Sequence, residues 1–331
     1  MKLATRKDGS PDGELHVVSR DLTYSVTAAG IAPTLQVAIE AWDRVSPALQ
    51  QLYEALNAGH VADAEPLDTR DLAAPLPRAW QWLDASAFHS HGDLLEQVFG
   101  LAPPPEKRTV PLMYQGAGDE LLGANDDVPL PSEADGMDFE AEVAVILDHV
   151  PMGTPASRAG AHIRLLTIAN DTSLRALAAK ELKTGFGFLQ SKAATTFGPV
   201  AVTPDELGGA WRDGRVHLPL RVHWNDMEFG HPHCGAMGFS FDELVAHAAR
   251  TRNLAAGTII GTGTISNENF REVGSACIAE RRAIELIDKG LPRTPYLRFG
   301  DHIRIEMLDD NGASIFGAIA QRYVRAAPIH D

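Results

Sequence analysis

Two carboxylates, Glu140 and Glu142, stand two residues apart in the run Asp138-Phe139-Glu140-Ala141-Glu142-Val143-Ala144-Val145-Ile146-Leu147. The run favours Val and Ile and holds no Gly or Pro, so it reads as a β-strand. Side chains alternate along a strand, which puts both glutamates on one face with their Cα atoms roughly 7 Å apart. Phe139, Ala141, Val143, Val145 and Leu147 take the other face. Two acids that close in a partly buried sheet repel, and one tends to keep its proton. A shared hard cation removes the conflict; Mg²⁺, Ca²⁺ and Mn²⁺ all take oxygen ligands. The same spacing also fits the solvated face of an antiparallel strand.

Other residues offer chemistry with a bland reading beside it. Asp171 ends the strand Leu166–Asp171, where it could add a third oxygen ligand or cap the next helix. Asp84 falls at the expected N-cap of a helix running to about Phe99, and His91 falls about two turns into that helix. A lone histidine there suits surface or packing as well as catalysis. The loop from Gly185 to Lys192 has the wrong spacing for a phosphate loop. His231-Pro232-His233-Cys234 lacks the second ligand pair that a zinc site needs.

The elements that must position these residues divide the chain in two. Residues 1–75 read as a small α+β unit. Leu15–Ser19 and Tyr24–Thr27 are its strands, and an apolar helical face runs from Leu35 to Leu56. Ser46-Pro47 is expected to break that face into two helices, and Gly59 to end the second. Residues 76–331 read as the larger domain, irregular over 101–137 around Pro103-Pro104-Pro105 and strand-rich beyond. Asn225-Asp226 makes a hairpin, and Cys277–Glu280 and Ile284–Ile287 read as strands. The class is mainly β (α+β), a mixed β-sandwich roll with a small N-terminal α+β domain.

A net charge of −15 argues against nucleic acid as a partner, but not against a small anion held by a few local Arg and Lys. No stretch approaches the length of a membrane span, and the first residues lack the apolar core of a signal peptide. Two cysteines imply no disulfide framework, so the cytoplasm is the expected compartment.

Taken in order, four separated motifs resemble the fumarylacetoacetate hydrolase family, in particular its bacterial fumarylacetoacetase-like group. They are Asp138-Phe139-Glu140-Ala141-Glu142, then Asn170-Asp171 with Ser173 and Arg175, then Lys192 with Thr196 and Pro199, then Gly263-Thr264-Ile265-Ser266. The resemblance implies that Asp84, Glu140, Glu142 and Asp171 hold a divalent cation, Mg²⁺, Ca²⁺ or Mn²⁺. It implies that His91 is a general base oriented by Glu280, and that Lys192 and Arg175 lie near a developing oxyanion. Thr264 is expected to meet the substrate. The chain departs from the family pattern at Ser86, Gly100 and Ala178, where Tyr, Arg and Gln are usual, and Gln190 and Tyr114 are the candidate substitutes.

The implied reaction is hydrolysis of a carbon–carbon bond in a small anionic 1,3-diketo acid, by a homodimer. Fumarylacetoacetate, cleaved to fumarate and acetoacetate in tyrosine and phenylalanine catabolism, is the first expectation. Alternatives on the same scaffold are acylpyruvate or fumarylpyruvate hydrolysis, β-keto acid decarboxylation and dienoate isomerisation. A non-enzymatic scaffold with structural calcium is the rival from another class.

Overall fold

A computed structural model describes residues 1–100, 102 and 105–327. Leu101, Pro103, Pro104 and residues 328–331 of the expected larger domain lie outside the described residues.

The acidic strand sits inside a twelve-stranded mixed sheet. Ala141–Leu147 pairs antiparallel with Ile163–Asn170 on one side and with Ile259–Gly261 on the other. Ile259–Gly261 then pairs in parallel with Trp82–Ala85, which pairs with Met113–Gln115. In the opposite direction Ile163–Asn170 meets Ala201–Val202, then Lys2–Arg6, Glu14–Val18 and Tyr24–Thr27. The first strands of the chain therefore extend the sheet that carries the glutamates.

All residues of Ala141–Leu147 are buried, so the solvated-face reading does not hold. One face, with Val143 and Val145, packs against a five-stranded sheet through Val222, Ile303 and Ile305. The other, with Ala144 and Ile146, packs against the N-terminal helices through Leu35, Ile39, Leu49 and Tyr53. Two sheets sharing one core, flanked by helices, give the expected α+β sandwich.

The N-terminal helices run Leu35–Glu40 and Trp42–Asn57. Their break falls at Ala41 rather than at Ser46-Pro47, and Pro47 lies inside the second helix. Burial of Val45, Leu49, Tyr53 and Leu56 along one face outweighs the hydrogen bond that proline removes. Gly59 stands just past its C-terminal end at φ 71°, as expected.

Two corrections bear on the site. Asp84 is no helix cap: it lies in the strand Trp82–Ala85, and the helix starts later, as His89–Phe99. His91 is thus in the first turn, not two turns in. Cys277 to Ile287 is not two strands but the start and body of one helix, Ile278–Lys289, capped by the Cys277 Sγ, which accepts from Glu280 N. Glu280 occupies the buried face of that helix, between Cys277 and Ile284, and so hides its apolar period. Among the described residues no helix is long and apolar enough to cross a membrane.

Candidate metal centre

Asp84, Glu140, Glu142 and Asp171 each offer a carboxylate oxygen, and these atoms all lie within 4.8 Å of one another. Strand register brings them together. Gly261 pairs with Asp84 on one side and with Ala144 on the other, two residues along from Glu142. Ala141 pairs with Asn170, which places Glu140 next to Asp171. Gly261 has to be glycine: a Cβ there would lie 2.2 Å from the Trp82 ring and 2.7 Å from Glu142 Oε2.

All four acids are buried, with Glu142 and Asp171 fully so. Burial, and then the neighbouring acids, pushes Asp84 up to about 7 and Glu142 well above the usual carboxylate range. Against the same burial, Lys192 and Arg175 hold Glu140 well below that range. Lys192 Nζ donates to Glu140 Oε2 at 2.8 Å and to Asp171 Oδ2 at 2.6 Å. The Tyr114 hydroxyl donates to Asp84 at 2.5 Å and lies 2.7 Å from Asp171 Oδ2. Asp84 Oδ1 and Glu142 Oε1 remain buried with no partner.

An orphaned buried acceptor costs about 1–3 kcal/mol, and more when charged. Here two such oxygens point into a group of acids faced by one lysine. An all-oxygen set of this kind fits a hard divalent ion, and not a thiolate-seeking one. The four residues could therefore hold the cation that the sequence suggested.

Beside the acids lies a second pair. His91 Nδ1 stands 2.8 Å from Glu280 Oε2, with Glu280 fully buried and His91 slightly exposed. Two contacts set its place. Glu140 bridges to Cys277, the cap of the helix bearing Glu280, and Ser90 Oγ donates to Ser266 Oγ at 2.9 Å.

Arg175 donates from Nε to Asp138 at 2.7 Å and from Nη2 to Glu140 at 2.6 Å. Thr264 is buried in the turn after Ile259–Gly261. Gln190 is exposed and meets Glu181 through its backbone N–H, so its side chain is not brought to the acids.

Sequence reasoning passed over Asp138 and Thr195. Asp138 accepts from Ile278 N, Ala279 N and Arg175, so it caps the Glu280 helix and aims the arginine. Its signal was present: 138, 140 and 142 alternate in step. Thr195 Oγ1 donates to Asp171 at 2.6 Å and accepts from Trp82 Nε1 at 3.1 Å, and nothing local in sequence announces it.

Residues 81–324 match the family described as fumarylacetoacetate (FAA) hydrolase, C-terminal, and residues 1–78 match fumarylacetoacetase N-terminal domain 2. The chain belongs to the fumarylacetoacetate hydrolase family. Within it, the human mitochondrial oxaloacetate tautomerase FAHD2A is 27% identical over 157 residues, 46% of this chain and 48% of that protein. The crystal structure of maleylpyruvate hydrolase from Sphingobium sp. SYK-6, with manganese(II) and pyruvate, superposes at TM-score 0.66. It is 18% identical, and the match covers 99% of this chain and 100% of that one. A 5-carboxymethyl-2-hydroxymuconate delta-isomerase from Mycobacterium smegmatis gives 0.61 at 19% identity and the same coverage. These two share the fold. Proteins of this fold thus include a hydrolase and an isomerase, and a sequence relative is named a tautomerase.

Proposed function

We propose that this protein hydrolyses a carbon–carbon bond in a 1,3-diketo acid, with fumarylacetoacetate as the first candidate and acylpyruvates as the alternative. The observation that carries this reading is the His91–Glu280 pair beside the acidic cluster. Asp84, Glu140, Glu142 and Asp171 would hold a divalent ion, and the maleylpyruvate hydrolase structure carries manganese(II). When bound, such an ion polarises a carbonyl and steadies negative charge on oxygen.

The side chains do the rest. Glu280 accepts the Nδ1 proton of His91 and leaves Nε2 free to take a proton from water. The water oxygen bonds to the carbonyl carbon as that proton moves. Lys192 Nζ, held on Glu140 and Asp171 by two of its three N–H groups, donates the third to the oxyanion. The carbon–carbon bond then breaks, and the carbon that leaves takes its proton back from His91. Arg175 is committed to Asp138 and Glu140, so we assign it to aiming Glu140 rather than to the oxyanion. Tyr114, whose hydroxyl meets Asp84 and Asp171, and the buried Thr264 are assigned to the substrate.

Proton transfer without water is the second reading, favoured by the kinship with the human tautomerase. The test is a parallel spectrophotometric assay of the Mn²⁺- and Mg²⁺-loaded protein on fumarylacetoacetate, fumarylpyruvate, acetylpyruvate and oxaloacetate. Cleavage of a diketo acid that chelation abolishes is expected. Turnover confined to the keto–enol exchange of oxaloacetate would sink the hydrolase reading in favour of the second. Homodimer formation belongs to the same proposal and is checked by sedimentation.

A further inference from the structure

The helix Arg175–Glu181 has a carboxylate at its far end that the reaction above does not use. Glu181 accepts from three consecutive backbone N–H groups, Leu189 at 3.1 Å, Gln190 at 2.8 Å and Ser191 at 3.1 Å. It also accepts from Ser191 Oγ at 2.5 Å. That hydroxyl and the three amides hold the carboxyl down at about 2, so it stays ionised throughout the working range.

The tripeptide it grips is flanked by two residues that face the acidic cluster. Before it, Phe188 stacks edge-on against Tyr114, ring centroids 4.9 Å apart, and the Tyr114 hydroxyl contacts Asp84 and Asp171. After it, Lys192 reaches Glu140 and Asp171. From the opposite side Leu174 N donates to Ser191 O at 2.8 Å, and Lys192 bridges to Ser173. The helix that ends at Glu181 begins at Arg175, which itself holds Glu140. A ring of contacts thus closes from Glu140 through Arg175, Glu181 and Ser191 to Lys192 and back to Glu140.

We propose that Glu181 is a positioning residue, which holds Leu189–Ser191 so that Lys192 is set on Glu140 and Asp171 while Phe188 is set on Tyr114. Its kinetic consequence rests on the hydrolase reading; its consequence for the metal does not. Lys192 competes with a cation for the same two carboxylates. Loosening the lysine therefore eases metal binding, the opposite of what general damage to the site does.

The test pairs Glu181→Ala and Glu181→Gln with Lys192→Ala, singly and combined. With the preferred substrate, Glu181→Ala should lower kcat about tenfold with KM within about twofold. In the Lys192→Ala background it should add no further loss, because coupled residues are non-additive. With Mn²⁺ alone, calorimetry should show binding about threefold tighter in Glu181→Ala, and no such change once Lys192 is gone. Glu181→Gln keeps one acceptor oxygen and should shift both readouts in the same direction by less; it serves where the alanine variant fails to fold. Unchanged or weaker Mn²⁺ binding, or an equal kcat loss with and without Lys192, overturns the proposal. Should the wild-type turn over none of the keto acids, the hydrolase reading falls and the Mn²⁺ arm alone decides on Glu181.

Discussion

Two buried polar networks meet at the end of the strand Ile163–Asn170, and they are built to opposite rules. On the Asn170 side every partner is neutral and matched. Asn170 Nδ2 donates to Gln321 Oε1 and to the Tyr323 hydroxyl, each at 3.1 Å. Gln321 Nε2 donates to Thr196 at 2.6 Å, and Tyr323 also meets Thr172. One residue later, on the Asp171 side, four acids share one lysine and one arginine, and two of their oxygens have no partner. The first network is finished by the chain itself and holds the strand in place. The second leaves two buried acceptors unmatched by the chain. Polar burial that looks alike by composition is told apart by whether its donors and acceptors balance.

The contrast can be broken from the reactive side first. His91→Ala should lower kcat by about a thousandfold, within the range for a lost general base, while Mn²⁺ affinity by calorimetry stays within about twofold. A variant with full turnover would remove the base from the mechanism. Next comes Glu142→Gln, which neutralises a crowded acid. We expect Mn²⁺ binding at least about a hundredfold weaker, yet a metal-free protein that melts higher, because a buried repulsion is gone. Lower stability without metal would mean that the acid is satisfied by the chain after all.

On the matched side, Tyr323→Phe leaves Asn170 and Thr172 short of a partner and should cost about 1–3 kcal/mol in denaturant unfolding. Metal affinity should hardly move, which is what separates the two networks. The smallest effect is on pH. Folded and metal-free, Asp84 keeps its proton to about 7, whereas the unfolded chain releases it near the ordinary 3.8. Its contribution is therefore fully present below the unfolded value and is lost as pH climbs through the folded one. Melting curves without metal should show stability falling across that window, while Mn²⁺ binding should tighten across it as the proton ceases to compete. A metal-free stability that rises over the same interval would contradict the assignment.

How much of this was readable in advance follows from distance along the chain. Glu140 and Glu142 declared themselves, because strand alternation is a local rule and both lie in one run. Asp84 did not. It is a strand residue only because Trp82–Ala85 pairs with Ile259–Gly261, far away in sequence, and a local reading found only a helix start. Glu280 was misplaced on a strand for the opposite reason: the buried acid interrupts the apolar rhythm of its own helix. The family resemblance named both residues as candidates without placing them on the right elements. Asp138 stood in plain alternation with the two glutamates and was still overlooked, because its partners are backbone amides and an arginine rather than the cluster.

That aspartate ties together parts of the pocket with different tasks. Through Arg175 it steers Glu140 of the acidic cluster; through Ile278 and Ala279 it anchors the helix whose Glu280 meets His91. The acidic cluster and the histidine–glutamate pair consequently share one anchor. A displacement of either would have to break a bond to Asp138, so a single carboxylate sets the alignment of both.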